Sequence, residues 1–325
     1  MLLGLVFALA GLAVLAVAAD HFVRGAARIA VARRVSPVVI GAVLIGFGTS
    51  APEMVVSGLA AGRGDLDIGV GNIVGSNVAN ISLVLAAAAT VAVVPVSSST
   101  VKREVPISLA SVIVFALLIQ GEITRLEGAL LALLIAIFLA VILRAGASGD
   151  VSFDDDVSNI VGDEPLHFRY ELLRTINGLV GVVVASWFIV DGAERVAEAF
   201  ELSGGFVGFT LVALGTSAPE LVTSVQAARQ GETDLLVGNL LGSNVFNSLA
   251  VGGIIGLIGP GPIVDTTMAQ TGSVLMVGIV LVSAVFMVVG GKVDRPKAFV
   301  LFFLWVVSVV ILSGGESVQS AALGF

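Results

Sequence analysis

The chain has no cysteine. That excludes disulfides, thiolate metal sites and cysteine nucleophiles, and it leaves the compartment open. Charge is scarce too: Asp, Glu, Lys and Arg make up 12% of 325 residues. A soluble core of this size needs a charged surface, and there are too few charges to build one. Histidine occurs twice, at His21 and His167, both expected in loops. With no Ser–His or paired-Asp arrangement beside them, an intramembrane hydrolase fails on inventory, and no enzyme activity is expected. The net charge is −8 and there is no basic stripe, which speaks against nucleic acid as a partner.

What remains is apolar sequence. The chain is 57% hydrophobic, with a mean hydropathy of +1.08. Several apolar runs reach the roughly 20 residues that cross a bilayer as helix. A transmembrane barrel would instead alternate in short segments. The fold class is therefore an all-α polytopic membrane protein. Ten spans are expected, at 2–19, 36–61, 70–94, 104–120, 126–143, 173–190, 206–228, 237–258, 270–289 and 298–313. The first ends in small residues, as a cleaved signal would, but no positive charge precedes it.

One stretch occurs twice. GTSAPE at Gly48–Glu53 returns at Gly215–Glu220, and GNIVGSNVAN at Gly71–Asn80 returns as GNLLGSNVFN at Gly238–Asn247. The offset is 167 at both motifs, and roughly half of the aligned positions are identical, which chance does not produce. The repeat reaches back to the end of the first span. Gly25-Ala26-Ala27-Arg28-Ile29-Ala30 matches Gly192-Ala193-Glu194-Arg195-Val196-Ala197 at the same offset. The first span is therefore kept as a helix, the partner of the sixth.

Five spans per half is an odd number, so the second half enters the membrane from the opposite side. The expected architecture is two inverted five-helix repeats, 1–143 and 173–325, with helices 2, 3, 7 and 8 broken. Loop charge tests this. Of the 16 Lys and Arg, only Arg63, Arg125 and Arg195 fall in one set of alternating loops. The richer set faces the cytoplasm, and both termini then lie outside. The linker 144–172 is cytoplasmic and carries Asp154-Asp155-Asp156 and Asp163-Glu164. A solvated acidic linker is favoured there over a regulatory calcium site, and the segment is too short for an ordinary domain.

The motifs place oxygen in apolar surroundings. Pro52 and Pro219 remove a backbone donor and turn the preceding residue away from helix. A break near Gly46–Ser50, a matching one at Gly215–Pro219, and a helix restart after each are expected. Breaks at corresponding points of inverted halves point to a transporter site near the midplane. A competing reading exists: Ser50-x-x-Glu53 and Ser217-x-x-Glu220 both fit a capping box. Capping accounts for one glutamate, but not for two placed symmetrically among so many oxygens. Asn72, Ser76 and Asn80 recur every four residues, as do Asn239, Ser243 and Asn247, so each trio forms one polar stripe on a helix. Ligation is favoured for Ser76, Asn80, Ser243 and Asn247. For Asn72 and Asn239, helix–helix packing beside Gly71, Gly75, Gly238 and Gly242 is an equal reading. Asn77 and Asn244 lie off the stripe and are expected to bond to backbone.

Two Glu, the hydroxyls of Thr49, Ser50, Thr216 and Ser217, two further Ser, two Asn and loosened carbonyls offer only oxygen. Such a set suits Ca²⁺, which takes about 6–8 oxygens, and also Na⁺; zinc and copper prefer other donors. Two facing carboxylates repel, and one Ca²⁺ or a few Na⁺ relieves that. A cage that holds either but not both is what an exchanger requires.

At these residues the chain resembles the calcium/cation antiporter superfamily, nearest to prokaryotic sodium/calcium exchangers. The resemblance covers both repeats, the ten-span inverted plan and the short central loop. It implies a calcium site from Glu53 and Glu220 with backbone oxygens of Thr49 and Thr216. Sodium sites would add Ser50, Ser217, Ser76, Ser243 and carbonyls near Gly46 and Ala213, and Asn80 and Asn247 would complete the centre. Some relatives carry Asp where this chain has Asn247, including the potassium-dependent branch. Asn cannot ionise, so potassium dependence is not expected and the central carboxylates number two. The implied function is Na⁺/Ca²⁺ antiport by alternating access in the plasma membrane of a prokaryote, with no cofactor and no obligate protein partner. The rival readings are Ca²⁺/H⁺ exchange at the same site, with H⁺ as the counter-ion, and a passive cation channel.

Overall fold

The structure, a computed structural model, describes residues 2–33, 35, 46–147 and 167–322. It is helical nearly throughout. The first half contains α1 (Leu2–Ala32), α2 (Gly46–Thr49), α3 (Ala51–Arg63), α4 (Leu66–Ala79), α5 (Leu85–Val91), α6 (Ser98–Leu118) and α7 (Arg125–Ala147). The second contains α8 (Phe168–Phe200), α9 (Gly204–Val207), α10 (Ala213–Thr216), α11 (Ala218–Gln230), α12 (Thr233–Val245), α13 (Gly252–Ile258), α14 (Ser273–Val288) and α15 (Arg295–Ala322). Wider π-helical windings join α4 to α5 at Asn80–Val84, α9 to α10 at Gly208–Val212 and α12 to α13 at Phe246–Val251.

Among the described residues, seven helices are long and apolar enough to cross a bilayer. The pair Gly204–Thr216 and Ala218–Gln230, bent by 46°, adds an eighth. The first part of the expected second span, 36–45, lies outside the described residues, as does most of the acidic linker with its candidate calcium site. The linker's described ends are helical, since α7 runs to Ala147 and α8 begins at Phe168.

Three expectations are corrected. Helices 3 and 8 are not broken: Leu66–Val91 and Leu236–Ile258 are each one continuous span. Neither contains proline, so the chain widens into a π winding and keeps its hydrogen bonds instead of breaking. The first span does not stop at residue 19, because α1 continues through Asp20, Arg24 and Arg28 to Ala32. His21 consequently sits within a helix and not in a loop. Likewise α8 extends well beyond 173–190 at both ends.

The charges that seemed to end the first span are paired along the helix. Arg24 Nε donates to Asp20 Oδ1 at 2.6 Å, one turn back. Arg28 Nε donates to Glu171 Oε1 of α8 at 2.5 Å, and both residues are buried. Arg174 of α8 donates to His21 Nδ1 at 3.2 Å. Below this cluster, small residues let the two backbones touch. Gly4, Gly11, Ala18 and Gly25 recur every seven residues on α1, and Gly178, Ala185 and Gly192 do so on α8. A β-carbon at Gly4 would lie 3.1 Å from the Gly192 carbonyl oxygen, one at Gly11 3.0 Å from that of Ala185, and one at Gly25 3.0 Å from that of Glu171. As residue numbers rise on one helix they fall on the other, so α1 and α8 run antiparallel. Small residues in register are how membrane helices gain close van der Waals contact.

The rest forms a second body around the two continuous spans. Leu66–Val91 is 83% buried and Leu236–Ile258 72%, whereas Arg125–Arg144 is 17% and faces outward. Contacts between the halves are reciprocal. Helix α3 packs on the winding at Phe246–Val251, and α11 on that at Asn80–Val84; α7 packs on α13, and α15 on α5. Two short antiparallel ladders repeat this exchange: Val94–Pro95 pairs with Lys292–Val293, and Glu122–Ile123 with Gly261–Pro262.

Breaking a buried ion pair strands the remaining charge, at a cost of about 3–5 kcal/mol. Glu171→Ala should therefore lower the thermal unfolding midpoint in detergent far more than Asp20→Ala, whose pair is exposed. Equal midpoints for the two variants would remove the pair from the stability of the α1–α8 unit.

Candidate functional site

Proline creates the site's local geometry. Pro52 and Pro219 occupy the first turns of α3 and α11. The serines ahead of them adopt nearly the same backbone, φ −91° and ψ 5° at Ser50, φ −85° and ψ 5° at Ser217. Each helix restarts from that serine's carbonyl, which accepts from Met54 N at 3.0 Å and from Leu221 N at 3.1 Å. Glu53 and Glu220 thus fall in the first turn of a helix, where the helix dipole favours a negative group.

Neither serine caps. Ser50 and Ser217 make no side-chain cap hydrogen bond, and both hydroxyls are buried without a partner. Glu53 is 1% exposed and Glu220 2%. Both carboxylate oxygens of Glu53 and Oε2 of Glu220 have no hydrogen-bond partner. The capping-box reading therefore has no hydrogen bond to support it.

The stripes divide in two. Asn72 donates to Ser57 Oγ at 2.9 Å and accepts from Thr216 Oγ1 at 3.2 Å and Ser76 Oγ at 3.5 Å. It is a packing bridge between α4, α3 and α10, and it engages Thr216 and Ser76. Further along, Asn80 Oδ1, Ser243 Oγ and Asn247 Oδ1 are all buried without partners. Asn80 and Asn247 lie in the π windings, which turn their side chains away from regular helical register. Such windings are common at functional sites. Seven of the expected ligand residues (Ser50, Glu53, Asn80, Ser217, Glu220, Ser243 and Asn247) therefore hold oxygens that satisfy no other group. Among the described residues no cluster of three or more His, Asp or Glu exists, so any cation here would meet two carboxylates and neutral oxygens.

Other expected positions differ. The Ala213 carbonyl is not released, since it accepts from Ser217 N at 2.9 Å and Thr216 Oγ1 at 3.4 Å. Proline withdraws the α-helical donor from the carbonyl four positions back, which is Gly48 or Gly215, and the Gly215 carbonyl accepts a backbone N–H at the end of α10 instead. Gly46 opens α2, at the edge of the described residues. Thr49 is half-buried while its counterpart Thr216 is fully buried. Asn244 bonds to backbone as expected, donating to the Asn77 carbonyl at 3.2 Å. Asn77 instead donates to Ser248 Oγ at 3.0 Å and to Met276 Sδ at 3.4 Å. Gly71 and Gly75 admit a neighbouring backbone, at Gly205 and Phe209, but among the described residues nothing lies within 4 Å of a β-carbon at Gly242. The π windings and the Ser57–Asn72 bridge had no signal in the sequence.

The chain is similar to known proteins over most of its length. The family model described as sodium/calcium exchanger protein matches residues 3–144 and 171–314. The protein CaxA of Alkalimonas amylolytica is 36% identical over 308 residues, covering 91% of this chain and 93% of that protein. The sodium/calcium exchanger MaX1 of Methanosarcina acetivorans is 29% identical over 347 residues, covering 96% and 97%. Among solved structures, the sodium-calcium exchanger NCX_Mj soaked with Na⁺ and Sr²⁺ aligns with a TM-score of 0.65 at 30% identity, covering 95% of this chain and 98% of that one.

Replacing a true N-cap serine by alanine costs about 0.5–2 kcal/mol. Because Ser50 makes no cap bond, Ser50→Ala should leave ion-free unfolding in detergent within about 0.5 kcal/mol of the parent. A loss at the upper end of the capping range would reinstate the cap.

Proposed function

The chain belongs to the family of sodium/calcium exchanger proteins, and from that premise we propose that it is a cation/Ca²⁺ antiporter of a multi-pass membrane protein fold that exchanges Na⁺ for Ca²⁺ by alternating access. One observation carries the reading. Two glutamates at equivalent places in the two halves are buried, with carboxylate oxygens that have no hydrogen-bond partner among the described residues. Burying an ionised carboxylate without a partner is too costly to persist. The partner must come from outside, and the surrounding oxygen donors fit a hard cation.

The ligands are Glu53, Glu220, Ser50, Ser217, Ser243, Asn80 and Asn247, with Ser76, Thr49, Thr216 and backbone oxygens of the two bends contributing as ions change. Charge balance makes the exchange obligatory: one Ca²⁺ neutralises the pair, as do a few Na⁺, and the two loads compete for the same oxygens. The ten-span plan with inverted halves 1–143 and 173–325 is part of the proposal. It is supported by the antiparallel course of α1 and α8, which occupy equivalent positions in the repeat, and by the reciprocal contacts between halves. The lysine and arginine distribution supports a prokaryotic plasma-membrane protein with both termini outside and the 144–172 linker in the cytoplasm.

Radiolabelled calcium uptake into Na⁺-loaded proteoliposomes diluted into Na⁺-free buffer tests this, beside vesicles carrying only a pH gradient. Sodium-driven uptake is expected, and Glu53→Gln or Glu220→Gln should reduce it to background while the protein still folds. Uptake driven by the pH gradient alone would keep the site and replace the counter-ion. Calcium flux that needs no counter-ion would make the protein a channel.

A further inference from the structure

The two central asparagines occupy equivalent places in the repeat, yet only one has its side chain held. Asn80 Nδ2 donates to Asn244 Oδ1 at 3.1 Å, and Asn244 Nδ2 donates to the backbone carbonyl of Asn77 at 3.2 Å. A backbone carbonyl can only accept, so the Asn244 amide nitrogen must face it. The Asn244 oxygen is then turned to Asn80, and it too can only accept. Asn80 must therefore present its nitrogen to Asn244 and its oxygen away from it. That oxygen is one of the buried acceptors with no partner. The equivalent relay on the other side is missing. Among the described residues, Asn77, the counterpart of Asn244, spends its nitrogen on Ser248 and Met276, its oxygen is unpartnered, and Asn247 receives no matching bond.

A carboxamide has an acceptor end and a donor end of nearly the same shape. A cation attracts the first and repels the second, so an asparagine ligand that flips freely is in the wrong orientation part of the time. We infer that Asn244 is a positioning residue that locks the Asn80 oxygen toward the cation site from the opposite half of the protein. The inference rests on the exchange reading above. It makes the centre unequal by construction, with Asn80 a fixed acceptor and Asn247 held by no equivalent bond among the described residues. Asn244 itself is fully buried, so water does not compete for its two bonds.

The test uses four variants of the full chain: Asn244→Ala, Asn244→Leu, Asn80→Asp and the double variant Asn80→Asp/Asn244→Ala. Asn244→Leu fills the volume that alanine would leave empty. Thermal stabilisation of purified protein is titrated with Ca²⁺ and, separately, with Na⁺. Loss of an orienting partner behind a ligand weakens cation binding roughly 10–100-fold. That increase in half-saturating Ca²⁺ is expected for Asn244→Ala and Asn244→Leu. A carboxylate offers oxygen at both ends and has no wrong orientation. In the Asn80→Asp background the Asn244 oxygen meets no donor and orients nothing, so removing Asn244 should raise the half-saturating Ca²⁺ by no more than about twofold. A purely structural role would not distinguish the two backgrounds. Equal losses in both, or no loss for Asn244→Ala alone, would overturn the inference. So would a fall in the ion-free midpoint of both Asn244 variants that accounts for the whole change. A parent protein stabilised by neither cation would sink the exchange reading and this inference together. A parent that binds cations as tightly as Asn244→Ala does would sink this inference only.

Discussion

Two carboxylates held in a low-dielectric interior, with no cationic side chain paired to them among the described residues, set the terms for everything around them. Each is offset in part by the N-terminus of the helix that carries it. That is worth far less than the hydration given up, so the rest must be supplied by what binds. The prolines follow from this, because only a restarted helix puts an N-terminus in the middle of a span. The π windings serve the same end from the facing helices. They turn Asn80 and Asn247 out of helical register without opening the backbone, and a lipid-surrounded protein tolerates an open backbone only where protein or water can satisfy it.

The apolar side chains form two clusters rather than one. Leu15, Ala18, Val182 and Ile189 of α1 and α8 belong to one, together with Val56, Ala60, Ile68 and Val207. The continuous spans, with Ile73, Ile81, Leu240 and Leu249, belong to the other. Within the first, backbone contact at the glycine heptads and the buried Arg28–Glu171 pair make α1 and α8 one stiff unit. Its outer surface is apolar, with Leu9, Val17, Leu173 and Val180 exposed. On the exchange reading, a unit tightly joined within itself, and set against α3, α4 and α9 by a layer of apolar contacts, is the part that changes its seat while the proposed ligands stay together.

The sequence made the chemistry legible and the geometry less so. Two identical GTSAPE motifs at a fixed offset announced the bends and the paired glutamates, because proline and glycine act locally and leave a mark in any context. The π windings left none: NISLV and FNSLAV contain nothing that forbids an ordinary α-helix, and each winding packs against helices distant in sequence, α11 and α3 among them. The ends of α1 and α8 were misread for a related reason. Asp20, Arg24 and Arg28 resemble a loop when counted as charges, but their partners lie one turn away or on the other long helix. The Ala213 carbonyl is an expectation of the family resemblance and not of the bend, and it is engaged by Ser217 N. The carbonyl whose α-helical donor a proline removes is set by the four-residue hydrogen-bond spacing, which makes it that of Gly215, and that carbonyl accepts a backbone N–H of the bend instead.

Near-identical motifs do not give identical surroundings. Thr216 is sealed against Asn72 while Thr49 is half-buried; Pro52 is buried while Pro219 is partly exposed; Asn80 is held by a relay that Asn247 lacks. If the halves were equal in conformation as well as in sequence, both faces of the site would be open or shut together. An exchanger in that condition would leak or stall. Inverted repeats escape this only by adopting two unlike conformations that can be traded between the halves. On the exchange reading, the repeat supplies the two sets of ligands, and the differences between its copies keep one side of the membrane closed to the ions while the other is served.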